Sequence, residues 1–542
     1  MKRTRKGGPL DVESALEIAG QPGNLEPSAV QRLEFRRNFR EITKHSAVFF
    51  SGTIFTLLAG YFVKIYVARV LGPQRLGLYA LGMTVVSFVQ LFGLMGLPGT
   101  AARYVAVYNR TGNMDGLRAL LSRSTTLILC LNAVLGGAMV LSRHWVADHI
   151  YHAPELARYM TLFALLMFLG ALQVFYSHVI AGFKDIAKRT LITNFIGTPF
   201  VLLLTVLLLA LGMGLRGYIV AQIVNAIVIV LLLARLTWRL TPTPAHFSLA
   251  PLAPLPPEIL SFSGATFGMS ALDFLVSQAD KILLGFYLDA RQLGIYVLAS
   301  TLVAFMPVIL QSINQMFAPA IAELHAQAQH EVLGKLFRTL TKWVLGATLP
   351  AALVAIVFAP PLMRIFGADF EPGWPVLVIG VLGQIVNCGV GSVGYLLLMS
   401  GNQNRLMRIQ FISAALSIPL SLMLIPLFGM VGAALSAAAI NIGSNVWNLV
   451  EVNKCLRLSP GKQGYFALLL PTALAVGFLW ALRVMTTSLE HQWIAILSGL
   501  VLSYAVFGAA AMCVALDADD RIMAHSAWIH MRNGFEKLAV RV

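Results

Sequence analysis

The sequence predicts an all-α polytopic membrane protein with about 14 transmembrane helices, arranged as two six-helix lobes followed by two further helices. Three observations support this fold class. The chain of 542 residues is 58% hydrophobic and 12% charged, with a mean hydropathy of +0.76, whereas a soluble domain carries about twice that charged fraction. Apolar runs of about 20 residues, long enough to cross a bilayer, occur roughly 14 times. Two distant segments also resemble each other at a constant offset.

Short connections that carry Gly, Pro or Asn separate the predicted spans, such as Gly72-Pro73-Gln74-Arg75. The spans are expected to begin near Ser46, Leu76, Leu120, Leu156, Thr190, Gly217, Ile259, Leu293, Trp343, Trp374, Met407, Met430, Tyr465 and Trp493. They divide into an N-lobe over 46–240, a linker over 241–257, a C-lobe over 258–455 and two appended spans over 456–516. A basic extension over 1–45 and a tail over 517–542 complete the chain.

The extension has no apolar core of the kind that a cleavable signal peptide needs, so the first span is predicted to remain as an anchor. Within it, residues 30–44 place Phe35, Phe39 and Ile42 at helical spacing among basic residues. That pattern is typical of an interfacial helix on an anionic leaflet. It is equally typical of an ordinary basic lead-in to a membrane span.

Charge distribution predicts the orientation. An even number of spans places both termini on one side, and most of the 40 Lys and Arg residues then fall in the tails and loops of that side. Positive residues collect in the cytoplasm, so both termini are predicted to be cytoplasmic. The same rule explains the net charge of +16 without nucleic acid as a partner. The four cysteines are far apart and form no CxxC, which predicts neither a disulfide framework nor a metal site.

The internal repeat is the most informative pattern. Residues 63–88, VKIYVARVLGPQRLGLYALGMTVVSF, align without a gap with residues 280–305, DKILLGFYLDARQLGIYVLASTLVAF. About 10 of the 26 positions are identical, and Lys64 falls on Lys281. Six spans separate the copies, so the lobes are predicted to be related by an axis along the membrane normal. Such a repeat favours a transporter that holds its substrate between the lobes.

Two lysines at one repeat position suggest a shared role. An ammonium in hydrocarbon costs several kcal/mol, and intramembrane charges usually face an interior, so Lys64 and Lys281 are predicted to face each other across a central cavity. The alternative is that both extend outward to the interface. Arg69, beside Gly72, and Arg103, near the inner end of the second span, are further candidates to hold an anionic head group, or else interfacial anchors.

Polar side chains inside other spans provide candidates for coupling and for sugar binding. Asp273 is the first candidate for proton or sodium coupling, because it lies deepest in the seventh span. Asp280 is the second, although it could instead neutralise Lys281 or Arg69. Amides donate and accept without net charge, which suits sugar hydroxyls, and they also join helices. The polar-cavity candidates are Gln311, Asn314, Asn441 and Asn445.

Several segments resemble bacterial polysaccharide flippases of the Wzx type. They are ARVLGPQRLGLYAL (68–81), GLPGTAARYVAVY (96–108), ADKILLGFYLDARQLGIYVLAS (279–300), LLLMSGNQNRLMRIQ (396–410) and LIPLFGMVGAALSAAA (424–439). The likeness covers about residues 46–455, and its patterns run through the whole multidrug/oligosaccharidyl-lipid/polysaccharide (MOP) exporter superfamily. Lipid II flippases of that superfamily carry an Arg-Asp pair around the place of Val63-Lys64, and this chain has only the charge of Lys64.

The resemblance implies a V-shaped two-lobe fold with a basic central cavity. It implies flipping of an undecaprenyl-pyrophosphate-linked oligosaccharide across the bacterial cytoplasmic (inner) membrane for surface polysaccharide synthesis. The implied partners are the lipid-linked oligosaccharide, membrane lipids, and the polymerase and glycosyltransferases of the same pathway. No cofactor is implied, apart from proton or sodium coupling.

Three other functions remain open at this stage. A cation-coupled multidrug exporter of the same fold would need an acidic cavity, and the cavity candidates here are mostly basic. A lipid II flippase would share the pyrophosphate handle. A membrane-embedded glycosyltransferase would need external catalytic residues, and the chain carries no motif for a nucleophile with its base.

Overall fold

The computed structural model describes residues 27–242, 255–460, 462–486 and 492–514, and every regular element in these ranges is a helix. Among the described residues, ten helices are long and apolar enough to cross a membrane, or up to twelve if each of two bent pairs is one span. The all-α membrane fold is therefore confirmed, and the count of 14 remains a prediction. Residues 1–26, most of the predicted linker and the predicted tail lie outside the described residues.

The described part of the first half of the chain, the N-half, contains six helices of more than ten residues. They are α1 (Pro27–Leu94), α2 (Leu97–Thr111), α3 (Met114–Leu141), α4 (Met160–Gly182), α5 (Thr198–Ala210) and α6 (Gly214–Leu240). A short helix, Ile186–Thr190, and a π-helical turn, Leu191–Gly197, lead into α5. Helix α1 begins well before the expected start near Ser46, because the amphipathic spacing of residues 30–44 continues into the apolar run without a helix breaker.

The second half, the C-half, is followed by two more helices. The C-half comprises α7 (Pro257–Tyr287), α8 (Ala290–Val303), α9 (Val308–Ala326), α10 (His330–Val357), α11 (Trp374–Val390), α12 (Val393–Met399) and α13 (Gln403–Leu456). The appended helices are α14 (Lys462–Thr486) and α15 (Gln492–Val514). Between α10 and α11 lies a connection with two short helices, Ala359–Arg364 and Ala368–Gly373.

Two of the long helices are interrupted at glycine. Helix α1 has non-helical backbone angles at Gly72 (φ 70°), directly before Pro73, and α13 has them at Gly429 (φ 59°). The arms of α13 fold back on each other, since Ser421 and Ser436 have hydroxyl oxygens 2.8 Å apart. Fifteen residues of straight helix would separate them by about 22 Å. Dividing α1 and α13 at these glycines gives two spans each, which is consistent with the predicted 14.

Backbone geometry agrees with the repeat offset. Gly212 and Gly429, which the repeat pairs, both have positive φ, of 77° and 59°, a conformation that glycine adopts without steric cost. Gly72 is paired with Asp289, whose carboxylate accepts a hydrogen bond of 2.8 Å from the backbone N–H of Gln292 and so caps α8. Both repeats therefore start a new helix at the same position. We call the end that carries Gly72, Asp289 and Gly429 the outer end, after its predicted side, and the opposite end the inner end.

The hydrophobic cores show how the halves are joined. One core at the outer end combines residues of the N-half, such as Leu78 and Leu81, with residues of the C-half, such as Leu293 and Phe366, all nearly fully buried. Towards the inner end the largest buried clusters belong mainly to one half each. The halves are thus packed together most extensively at the outer end.

Candidate functional site

The halves cross at the outer end through two repeat-equivalent glycines. A methyl group built on Gly77 would lie 2.5 Å from the carbonyl carbon of Ala290 and closer still to its oxygen. A methyl group built on Gly294 would lie 2.9 Å from the backbone nitrogen of Gly77 and closer still to the carbonyl oxygen of Pro73. The repeat pairs Gly77 with Gly294, and Pro73 with Ala290. The outer closure is therefore a reciprocal backbone contact that only glycine permits.

Arg69 belongs to this closure. Its Nε donates a hydrogen bond of 2.7 Å to the backbone carbonyl of Ile365, at the end of the short helix Ala359–Arg364. A guanidinium at a helix C-terminus also complements the helix dipole. The sequence predicts Arg69 as a ligand for an anionic head group or as an interfacial anchor. In this conformation its Nε instead joins the N-half to the α10–α11 connection.

Lys64 lies just below that closure, on the face of α1 that meets the C-half. Tyr61, one turn earlier, packs its ring against Phe305 and Phe366, at centroid distances of 5.2 and 5.9 Å. Ala68, one turn later, is 1% exposed in the shared core. Phe62, about 160° away around the helix, is 70% exposed, as a lipid-facing side chain is. The Lys64 side chain is itself exposed, and its position on the helix favours the cleft between the halves over the lipid.

Lys281 occupies the equivalent face of α7. Gly285, one turn later, would place an added methyl group against Leu81 and Tyr151 of the N-half. The ammonium of Lys281 donates to the carbonyl of Ser277 at 3.2 Å and to the side-chain oxygen of Gln278 at 3.0 Å. Each lysine thus lies within one helical turn of a residue that contacts the opposite half.

Asp280, next to Lys281, faces the interior of the C-half. Its carboxylate accepts a hydrogen bond of 2.6 Å from the hydroxyl of Tyr296, which is 2% exposed. Among the described residues, no ion pair joins Asp280 to Lys281 or Arg69, so the proposed neutralisation is absent from this conformation. Asp280 and Tyr296 line a cavity of about 170 Å³ together with Ser300, Gln384 and Asn441.

The two tyrosines that the repeat pairs have different partners. Tyr79, the equivalent of Tyr296, packs its ring against Tyr218 at 4.8 Å. Position 63, the equivalent of Asp280, is a valine. The carboxylate is therefore specific to the C-half, although the helix scaffold around it is duplicated. A residue that breaks a repeat inside a polar cavity is a candidate for function.

Asp273 has a different environment from Asp280. It is exposed and lies two turns after Thr266, whose hydroxyl is 2.9 Å from the carbonyl of Gly96 in the N-half. Asp273 therefore shares the α7 face that meets the N-half. Phe274 also contacts the N-half, with its ring 6.0 Å from that of Phe88.

Arg103 contributes to a second contact between the halves, at the inner end. Its guanidinium carbon lies 4.4 Å from the ring centroid of Phe262, a cation–π arrangement. The hydroxyl of Ser263 donates to the carbonyl of Met95 at 2.6 Å. The sequence predicts Arg103 as a ligand for an anionic head group or as an interfacial anchor. In this structure its guanidinium stacks on Phe262 of the C-half.

The predicted polar-cavity residues fall into two groups. Asn441 lines the Asp280 cavity, and the amide nitrogen of Asn445 donates to the side-chain oxygen of Asn441 at 3.2 Å. Gln311 is exposed, whereas Asn314 is 8% exposed and its side-chain oxygen has no hydrogen-bond partner. The structure places Asn441 in this cavity and Asn445 within hydrogen-bond distance of it, and it does not place Gln311 or Asn314 among the lining residues.

Sequence reasoning missed Tyr296, Ser300 and Gln384 as neighbours of Asp280. Tyr296 had a usable signal, because it is identical to Tyr79 in the repeat. Gln384 had no such signal, because it comes from α11, more than one hundred residues after Asp280. Ser300 lies one helical turn after Tyr296 on α8. Among the described residues, no group of three or more His, Cys, Asp or Glu side chains could hold a metal ion.

Comparisons with known proteins agree with this architecture. The succinoglycan biosynthesis transport protein ExoT of Rhizobium meliloti is 24% identical over 320 residues, 57% of this chain. The chain spans 59% of that relative's length. The probable flippase AglR of Haloferax volcanii is 23% identical over 412 residues, 73% of this chain and 80% of AglR.

Two solved structures show the shared fold. The lipid II flippase MurJ in an inward closed conformation matches with a TM-score of 0.70 and 14% identity, over 85% of this chain and 98% of MurJ. An inward-facing multidrug resistance transporter of the MATE family, from the MOP superfamily, matches with a TM-score of 0.60 and 15% identity. The match covers 74% of this chain and 94% of that transporter. A family model described as "Polysaccharide biosynthesis protein" matches residues 66–372. Because the match covers more than half of the 542 residues, the chain belongs to the polysaccharide biosynthesis protein family.

Proposed function

We propose that this protein flips an undecaprenyl-pyrophosphate-linked oligosaccharide from the inner to the outer leaflet of the bacterial cytoplasmic membrane by alternating access. The family, a relative named as a flippase and the MurJ-like fold support a flippase. The observation that carries the proposal is the pair of repeat-equivalent lysines, Lys64 and Lys281, on the two helix faces that meet the opposite half. A substrate held between the halves would meet one ammonium from each.

The pyrophosphate is the part of the substrate that the lysines would hold. An ammonium binds phosphate as a point charge, and the interaction is stronger in a cleft of low effective dielectric than in water. The oligosaccharide would occupy the wide, inner part of the cleft, and the polyprenyl tail would stay in the bilayer. The glycine crossing closes the outer end while the head group loads from the inner leaflet.

Release on the other side requires the outer closure to open. The Gly77–Gly294 crossing and the Arg69–Ile365 hydrogen bond would separate, and the halves would come together at the inner end. The contact of Arg103 with Phe262 is the start of such an inner closure. In this cycle Arg69 would stabilise the outer closure and Arg103 the inner closure, whereas the two lysines would bind the substrate.

For coupling, the geometry favours Asp280 over Asp273. Asp280 lies in a polar cavity inside one half, where a proton or a sodium ion would have oxygen partners from Tyr296, Ser300 and Asn441. Asp273 lies on the cleft face and is exposed. Asp280→Asn is expected to reduce transport and to remove its dependence on the proton or sodium gradient. Normal gradient dependence in a well-expressed variant would exclude Asp280 from coupling.

The test of the central proposal is glycan export by a flippase-deficient strain that carries Lys64→Ala or Lys281→Ala. Each variant should reduce export by about tenfold or more, because one hydrogen bond to a charged group contributes about 1.5–3 kcal/mol and 1.4 kcal/mol is a factor of ten. Lysine to arginine should restore part of the export. Lys335→Ala is the matched control, since Lys335 is an exposed lysine paired with Glu331 at 3.3 Å.

Membrane abundance must be measured by immunoblot for every variant. Full export by an abundant Lys64→Ala, Lys281→Ala double variant would overturn the assignment and leave both lysines as interfacial anchors. Loss of export in the Lys335→Ala control would mean that the assay reports general damage rather than substrate binding.

A further inference from the structure

A basic cavity lies at the inner end of the C-half, away from the cleft. It has a volume of about 490 Å³ and forms where the first turns of α10 meet the end of α13. Its cationic lining comes from Arg338 on α10 and Arg457 directly after α13, and His330 also lines it. The volume lies in the range of small-molecule sites.

The chain that forms one wall of this cavity is held in place. Leu458 is 7% exposed and belongs to the inner core of the C-half, and a methyl group built on Gly334 would lie 3.0 Å from its side chain. This packing fixes the connection between α13 and α14 against α10. The wall is therefore a defined surface, and Arg457 is fixed at its edge.

Arg457 has a left-handed backbone, with φ of 55°. Such a conformation costs a residue other than glycine about 1 kcal/mol or more and persists where the surroundings demand it. Its backbone N–H caps α13 by donating to the carbonyl of Asn453 at 3.0 Å. A glycine would serve as this cap without strain, so the cap alone does not explain an arginine at this position.

The cavity is electropositive. Glu331 also lines it, and its carboxylate is engaged by Lys335 at 3.3 Å. Arg338 donates from Nε to the carbonyl of Gly334 at 3.2 Å, and this leaves the terminal nitrogens of its guanidinium for another acceptor. The positive-inside rule accounts for arginines at this end, but it does not account for a cavity between them.

We propose that this cavity binds the head group of an anionic phospholipid of the inner leaflet. The site lies between membrane helices at their predicted cytoplasmic ends, where basic pockets meet lipid phosphates. Arg338 and Arg457 would hold the phosphate, and the acyl chains would lie along α10 and α14. The bound lipid would brace the connection between the C-half and the two appended helices.

Cys455 lines the same cavity and provides a direct readout. The full chain, with Cys130 and Cys513 replaced by serine, is placed in nanodiscs of phosphatidylcholine with or without phosphatidylglycerol. Alkylation of Cys455 by a soluble maleimide is then timed. Phosphatidylglycerol should slow the alkylation at least about fivefold, which corresponds to about 1 kcal/mol, the contribution of one basic residue near an anionic head group.

Arg457→Gly is the most informative variant, because it removes the charge and relaxes the backbone. It should abolish most of the protection, as should Arg338→Gln, whereas Arg338→Lys should keep part of it. Arg291→Gln is the matched control, an exposed arginine at the outer end that pairs with Asp369 at 2.8 Å. Each variant must alkylate at the unprotected rate in pure phosphatidylcholine, which verifies its folding.

Two results would overturn the proposal. One is equal protection by phosphatidylglycerol in Arg457→Gly, Arg338→Gln and the parent chain. The other is equal protection by millimolar inorganic phosphate in phosphatidylcholine nanodiscs, since the cavity would then be a site for free anions. Neither result bears on flipping, because glycan export by the Lys64 and Lys281 variants is measured separately.

Discussion

The glycine crossing at the outer end can be tested by adding a single methyl group. Gly77→Ala would place a carbon 2.5 Å from the carbonyl carbon of Ala290, whereas non-bonded carbons are at their optimum at about 3.5–4.0 Å. The two helices must therefore separate by at least about 1 Å, and by more to clear the nearer carbonyl oxygen, because the obstructing atoms are backbone and cannot change rotamer. Gly294→Ala meets Pro73 and Gly77 in the same way from the other half.

The energetic effect should be confined to the outward-closed state. Overpacking of this kind costs about 1–3 kcal/mol. The strain is released when the outer ends separate, so the ratio of outward-closed to outward-open molecules should fall by about 5–150-fold. The double variant should add little to either single variant, because both act on the same contact.

The assay is the distance between spin labels at positions 148 and 368, exposed residues of the outer connections of the N-half and the C-half. In proteoliposomes, the distance distribution of Gly77→Ala and of Gly294→Ala should move toward longer values. Gly137→Ala is the matched control, because a methyl group built on Gly137 in α3 meets nothing within 4 Å. An unchanged distribution in folded Gly77→Ala and Gly294→Ala would refute the closure described here.

Three further predictions follow from the same geometry. Arg69→Gln should lower the ratio of outward-closed to outward-open molecules less than Gly77→Ala does, by at most about fivefold, because an exposed charged contact contributes about 0–1 kcal/mol. The same spin-label distances measure this change. Tyr296→Phe should alter the gradient dependence of transport while Asp273→Asn leaves it unchanged, measured as glycan export at several external pH values and sodium concentrations. Reporter fusions after His330 should read as cytoplasmic and those after Asp369 as external; the reverse would contradict the orientation.

The fold was predictable because the lengths of the apolar runs and the internal repeat can both be read directly from the sequence. Most observed helices begin within a few residues of the expected starts. Two begin much earlier, since α1 begins at Pro27 rather than near Ser46 and α10 at His330 rather than near Trp343. The polar first turns of α10 lie outside the apolar window, so hydropathy could not include them. The short helices between α10 and α11 were also missed, because they are too short to produce a periodic signal.

The site was only partly predictable. The repeat placed Lys64 and Lys281 on equivalent helix faces, and their neighbours agree with a position facing the cleft. The partners of Arg69 and Asp280 could not be found in this way. Ile365 is 296 residues from Arg69, and a backbone carbonyl carries no signature in the sequence. Depth along the helix favours Asp273 over Asp280, whereas the structure distinguishes them by environment. Asp273 is exposed, and Asp280 lines a cavity and accepts a hydrogen bond from Tyr296.

The most direct measurement is flipping by the purified protein. Fluorescent undecaprenyl-pyrophosphate oligosaccharide is placed in proteoliposomes, and the fraction accessible to a membrane-impermeant quencher is followed over time. We expect the protein to bring labelled lipid from the inner leaflet to the quencher, and the Lys64→Ala, Lys281→Ala double variant to abolish this while Lys335→Ala does not. No translocation of the lipid-linked oligosaccharide, together with efflux of an organic cation by the same preparation, would contradict the proposed function and identify a drug exporter.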